Sequence, residues 1–160
     1  MLDYVRFLNQ VYQELKQGQQ KRQMLESLIL SEARFNNDLL QVALRTGVDS
    51  LSREQSALFL ELETTSAELI TTLGLAPHTV FDDRRDPTEQ ELLKLDQRGV
   101  SLKSLSRRPQ TELWEYSMRK IRLLKALAAS GTLPAARIAL ASRCRNLEFA
   151  TRTLARRMHG

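Results

Sequence analysis

A chain of 160 residues, 42% hydrophobic and 27% charged, holds enough apolar material for one globular core or two small subdomains. One cysteine, Cys144, and two histidines, His78 and His159, exclude a disulfide framework and a Cys/His zinc site, so we expect no metal and no cofactor; only a carboxylate-rich site stays open in principle. No apolar run approaches the ~18 to 20 residues of a membrane span, and Met1–Arg6 lacks the charged-then-apolar order of a secretory signal, so a cytoplasmic protein with no membrane partner is expected.

The net charge of +5 is unevenly spread. Residues 1–100 carry 11 Lys and Arg against 16 Asp and Glu, whereas residues 101–160 carry 13 against only Glu112, Glu115 and Glu148. Such a split points to nucleic acid, an anionic surface or an acidic peptide. The competing interpretation is that the acidic part neutralises the basic part within the fold.

In chain order, Met1, Val5, Leu8, Tyr12 and Leu15 form a first helical stripe. Leu25, Leu28, Phe35, Leu39 and Val42 form a second, interrupted by Glu32. The polar run Gln17–Gln23 between them fits either a hairpin turn or the solvated middle of one long helix. Leu51, Leu58, Leu62, Leu69 and Leu73 continue the period as a third helix that stops at Gly74, with Ser50 or Ser52 as its cap. Residues 77–87, with two prolines and the charged cluster Asp82–Asp86, have no apolar period and form a linker between an acidic region, 1–76, and a basic region, 88–160.

Asp86-Pro87-Thr88-Glu89 starts a short helix ending near Gly99, in a capping-box-like arrangement. Pro109 opens a longer helix that Ser130-Gly131 stops, and Pro134 opens the last, to about Met158. No run of alternating β-branched residues marks a strand. The expected fold is all-α: an antiparallel bundle of five to six helices, as one body or as two helical subdomains.

The last helix places Leu140, Cys144, Leu147, Leu154 and Met158 on a core stripe, with Thr151 its one polar member. Opposite lie Ile138, Arg145, Phe149, Arg152 and Arg156, an aromatic ring among guanidinium groups. Arginine contacts phosphates or carboxylates bidentately, and an exposed phenylalanine stacks on a base. Alternatively, Ile138 and Phe149 pack against a neighbouring helix, with the arginine stems beside them. The preceding helix has a broad apolar arc of Leu113, Trp114, Tyr116, Met118, Ile121, Leu123, Leu124 and Leu127, and Arg119, Arg122 and Lys125 extend the basic surface. If the two helices are antiparallel neighbours, their basic residues line one groove.

Catalytic patterns are poor, and we expect no enzyme. There is no glycine-rich phosphate loop, His-Glu-x-x-His helix or nucleophile elbow. Arg152 and His159 meet the loose Arg-to-His spacing of helical HEPN ribonucleases, which makes a ribonuclease the weakest alternative.

Two stretches carry a family resemblance. Ser31-Glu32-Ala33-Arg34-Phe35-Asn36-Asn37-Asp38-Leu39-Leu40 resembles the N-terminal helix of the primosomal replication protein N″ (PriC) family. Ala141-Ser142-Arg143-Cys144-Arg145-Asn146-Leu147-Glu148, followed by Leu154-Ala155-Arg156, is similar to that family's terminal helix once one residue is gapped between Arg145 and Leu147. The two cover about a fifth of the chain.

The resemblance implies a non-enzymatic replication-restart accessory protein. It would bind single-stranded DNA and the acidic, Phe-ending tail of single-stranded DNA-binding protein, and promote loading of the replicative helicase. The family's aromatic-Glu-Arg-Arg-Leu segment has its counterpart in Trp114-Glu115-Tyr116-Ser117-Met118, which keeps the aromatic and Glu but lacks both arginines. The carboxylate partners then fall to Arg119, Arg122 or Lys125. A helical adaptor or complex subunit without nucleic-acid binding is the alternative of another class, with Ile138 and Phe149 in a protein interface.

Overall fold

The computed structural model describes residues 2–46, 53–81, 102–131 and 137–159, and every regular element among them is helical. The order is α1 (Leu2–Glu14), α2 (Gly18–Thr46), α3 (Arg53–Glu61), α4 (Thr65–Leu73), a 3-10 turn (Pro77–Thr79), α5 (Leu102–Ser106), α6 (Gln110–Ser130) and α7 (Arg137–His159). The expected all-α bundle is what forms. The helix expected over 86–99, the caps at Ser50 or Ser52 and the start at Pro134 lie outside the described residues.

Leu15–Gln17 breaks the chain between α1 and α2, so the N-terminal stripes belong to two helices. Gly74 and Gly131 end α4 and α6 in the left-handed region, at φ 68° and 72°, and their N–H groups return to carbonyls of the last turn. A side chain at either position would be strained, which is why glycine marks these ends.

Contacts run mainly from α2 to α7, α6 to α7 and α3 to α6, with α1 laid on α4. The helices of the acidic region thus share one core with those of the basic region, and the start of the expected linker joins it too. Val80 and Phe81 are buried, the Phe81 ring lying 5.8 Å from Trp114 in a tilted contact. Arg157, near the end of α7, donates to the carbonyls of Ser106 and Arg108 ahead of α6, so α6 and α7 run antiparallel.

The structure corrects the sequence reading in three places. The third helix, read as continuous through Leu62, is two helices broken at Leu62–Thr64. The break is held from outside: Asn36 of α2 donates from Nδ2 to the Glu63 carbonyl (3.0 Å) and accepts the Glu63 N–H on Oδ1 (2.8 Å), while Lys125 of α6 donates to the Leu62 carbonyl (2.6 Å). A helix end leaves such backbone groups without intrahelical partners, and these side chains supply them.

The buried face of α2 is also rotated from the expected stripe. Phe35 and Val42 are 40% and 41% exposed, and Leu28 and Leu39 are partly buried, whereas Glu32, Asn36 and Asn37 lie inside with Leu25, Ile29, Ala33, Leu40 and Ala43. The polar residues win these positions because they satisfy groups that no leucine can. Asn37 donates from Nδ2 to the Glu148 carbonyl of α7 (2.8 Å) and to Thr151 Oγ1 (3.1 Å), and accepts from Gln41 (2.7 Å). On α6, Leu123 of the expected buried arc is 38% exposed.

Asn36→Ala leaves two backbone groups of the break unpaired and costs about 2 to 3 kcal/mol of stability. Val42→Ala, on the stripe expected to be core, changes it by less than about 0.5 kcal/mol. Urea unfolding of both variants checks the pair, and an equal drop in both would contradict the observed face.

Candidate anion-binding surface

The seam between α6 and α7 gathers cations from both helices and from the turn before α6. Tyr116 is buried there, with the Arg108 guanidinium 5.6 Å and the Lys120 ammonium 5.7 Å from its ring centre. Burial raises the Tyr116 hydroxyl above its usual range, while Arg108, Arg119 and Arg143 pull it back. Lys120 is held below the usual lysine range, first by burial and then by repulsion from Arg119 and Arg143. Among the described residues no acidic side chain forms an ion pair with Arg119, Lys120 or Arg143.

The residues singled out from sequence do not make a single groove. Arg119 and Arg122 line an open cleft between α4 and α6, whose walls include Ile70, Leu75, Trp114 and Met118. Lys125 is engaged at the C-terminal end of α3 through the Leu62 carbonyl. Arg145, Arg152 and Arg156 are exposed on the outer face of α7. Arg143, two residues from Arg145, is turned about 160° from it around the helix and is the one that reaches the seam.

Phe149 is half-buried and packs against the core, with the Arg152 guanidinium 5.5 Å from its ring centre. The packing alternative therefore describes this ring better than a free stacking platform. Arg152 is also paired with Glu148 at 3.2 Å, which leaves Arg145 and Arg156 as the arginines of this face without an ion pair among the described residues. The side chain of Ile138 lies outside the described residues. Leu140, Cys144, Leu147, Thr151 and Leu154 are buried as expected, and burial pushes the Cys144 thiol up to about 12, so it packs as a small hydrophobe.

Sequence reading missed Lys120 and Arg143. Both sit beside apolar core positions, and only the packing of α6 on α7 brings them together. Their one legible signal was spacing: Tyr116 and Lys120 are four residues apart, on one face of a helix.

Behind the α4–α6 cleft lies a buried polar chain. Glu32 of α2 accepts the Ser66 N–H (2.9 Å) and the Ser66 hydroxyl (2.5 Å), and Ser66 Oγ accepts the indole N–H of Trp114 (2.9 Å). Thr64, at the N-cap of α4, makes no side-chain cap bond, so the carboxyl reaching across from α2 takes that place. Burial raises the Glu32 carboxyl from 4.5 to about 7, against the opposing pull of the Ser66 and Thr65 donors; nearby Glu63 adds to the rise.

No group of three or more His, Cys, Asp or Glu side chains among the described residues could hold a metal, and no described helix is long and apolar enough to cross a membrane. Comparisons with family models, curated proteins and solved structures found no match.

The raised Glu32 carboxyl fixes the sign of a stability change. Folding favours its protonated form, so its contribution is complete below pH 4.5 and is lost as the pH rises through about 7. Relative to Glu32→Gln, which does not titrate, the wild-type protein should lose on the order of 3 kcal/mol between about pH 4.5 and pH 8. Urea midpoints of both proteins across this range measure the difference, and a slope of opposite sign contradicts it.

Proposed function

We propose that the chain is a binding protein rather than a catalyst, and that its ligand is a polyanion, single-stranded DNA, held first at the α6–α7 seam. The observation that carries this reading is Lys120 of α6 repelled by Arg143 of α7, with Arg119 adding its charge from the cleft side and no ion pair to any of the three among the described residues. Crowding like charges costs folding energy, and a bound phosphate returns it by neutralising them. Arg145 and Arg156, on the outer face of α7, add further phosphate contacts. This role agrees with the replication-restart function implied by the resemblance to the PriC family, including an approach to the replicative helicase.

A second reading has its own observation. The α4–α6 cleft combines apolar walls, Ile70, Trp114 and Met118, with Arg119 and Arg122. That chemistry suits an acidic peptide with an apolar end, such as the tail of single-stranded DNA-binding protein, its carboxylates meeting the guanidinium groups and its ring the apolar wall.

Fluorescence anisotropy of a labelled single-stranded oligonucleotide tests the first reading. Affinity should fall steeply with salt. Lys120→Glu with Arg143→Glu should weaken it at least ~10-fold, and should flatten the slope of log affinity against log salt by about 0.7 for each phosphate no longer neutralised. Arg145→Glu with Arg156→Glu should weaken it less. Absence of binding at low salt, or full binding by the seam variant, overturns the assignment. Competition by an acidic peptide ending in Phe, abolished in Arg122→Glu, is the outcome expected of the second reading.

A further inference from the structure

The hydroxyl of Ser66 stands between two acceptors that one proton cannot both serve, and beside a third partner that donates to it. Its Oγ lies 2.5 Å from Glu32 Oε1, 3.8 Å from Met118 Sδ and 2.9 Å from the Trp114 indole nitrogen, which can only donate. All four side chains are buried. With Glu32 ionised, Ser66 gives its proton to the carboxylate and accepts from Trp114. With Glu32 protonated, the carboxyl donates to Ser66 Oγ, which still accepts from Trp114 on its second lone pair, and the serine proton turns to the Met118 sulfur. Both states satisfy every donor, and one proton distinguishes them.

We propose that Glu32, Ser66 and Trp114 form a pH-responsive relay that transmits the charge of a carboxyl inside the bundle to the wall of the α4–α6 cleft. Trp114 and Met118 line that cleft, and Ser66 stands in the first turn of α4, whose later residues Ala67, Ile70 and Thr71 form the opposite side. Of the elements packed around Glu32, the break before α4 contributes the charged Glu63, α4 contributes the Thr65 and Ser66 N–H donors, and α6 contributes the neutral Trp114 and Met118. An ionised Glu32 strengthens the hold on Ser66 and the N-terminal turn of α4. A protonated Glu32 relaxes that hold and makes the serine a better acceptor to the indole. The relay operates whether or not the cleft takes a ligand.

Trp114 is the sole tryptophan, so its indole N–H gives one assignable resonance in a two-dimensional nitrogen–proton spectrum. In a protein with both histidines replaced, His78→Gln and His159→Gln, that resonance should move through a single transition centred near pH 7. The shift should vanish in Glu32→Gln. Should that variant fail to fold, Ser66→Ala keeps the carboxyl and removes the link, and the resonance should again stay still. A resonance that does not move between about pH 5.5 and pH 8.5, or one that still titrates in either variant, overturns the relay.

Discussion

A break between two helices leaves backbone donors and acceptors that must be satisfied before the surrounding core can close. Here α2 satisfies them. Asn36 closes a two-bond ring with the backbone of Glu63, Glu32 takes the place of a cap on α4, and Asn37 ties the same helix to α7. An unpaired buried group of this kind costs about 1 to 3 kcal/mol, comparable with the burial of a large side chain, so three polar residues along one helix set where α3, α4 and α7 can lie. The orientation of α6 follows, since Lys125 and Trp114 reach the same corner from the other side.

Surface chemistry is a consequence of that arrangement. Once α6 lies between α3 and α7, its polar residues divide: Lys125 turns to the α3 end, Arg119 and Arg122 to the α4 cleft, and Lys120 to Arg143 on α7. The lopsided charge of the sequence is thus resolved into distinct places. Part of it is spent within the fold, on Glu148 by Arg152 and on backbone carbonyls by Lys125 and Arg157. At the seam, Lys120 and Arg143 stand without an acidic ion-pair partner among the described residues.

What was legible in the sequence was the signal carried by period and by glycine. The stripe of α7, the stops at Gly74 and Gly131 and the all-helical class depend on local rules, and each survives in the structure. The face of α2 did not, because apolar period alone assigns Phe35 and Val42 to the core and counts Glu32 as an interruption. Its true face is chosen by hydrogen bonds to residues 27 to 114 positions away, which no local pattern contains. The run Thr64-Thr65-Ser66, rich in residues that favour helix starts, was the one local sign of the break. The candidate site followed the same division: exposed arginines on α7 were visible as a helical face, whereas the meeting of Lys120 with Arg143 required the packing of two helices.

The control of the bundle by α2 is tested most directly by amide hydrogen exchange at Glu63 and Ser66, whose N–H groups α2 side chains accept. Both should exchange as slowly as amides in the middle of α6 and α7, opening only with global unfolding, although they lie in a break and in a first helical turn. Exchange of both at the rate of an unprotected loop would contradict the claim that Glu32 and Asn36 hold the structure together.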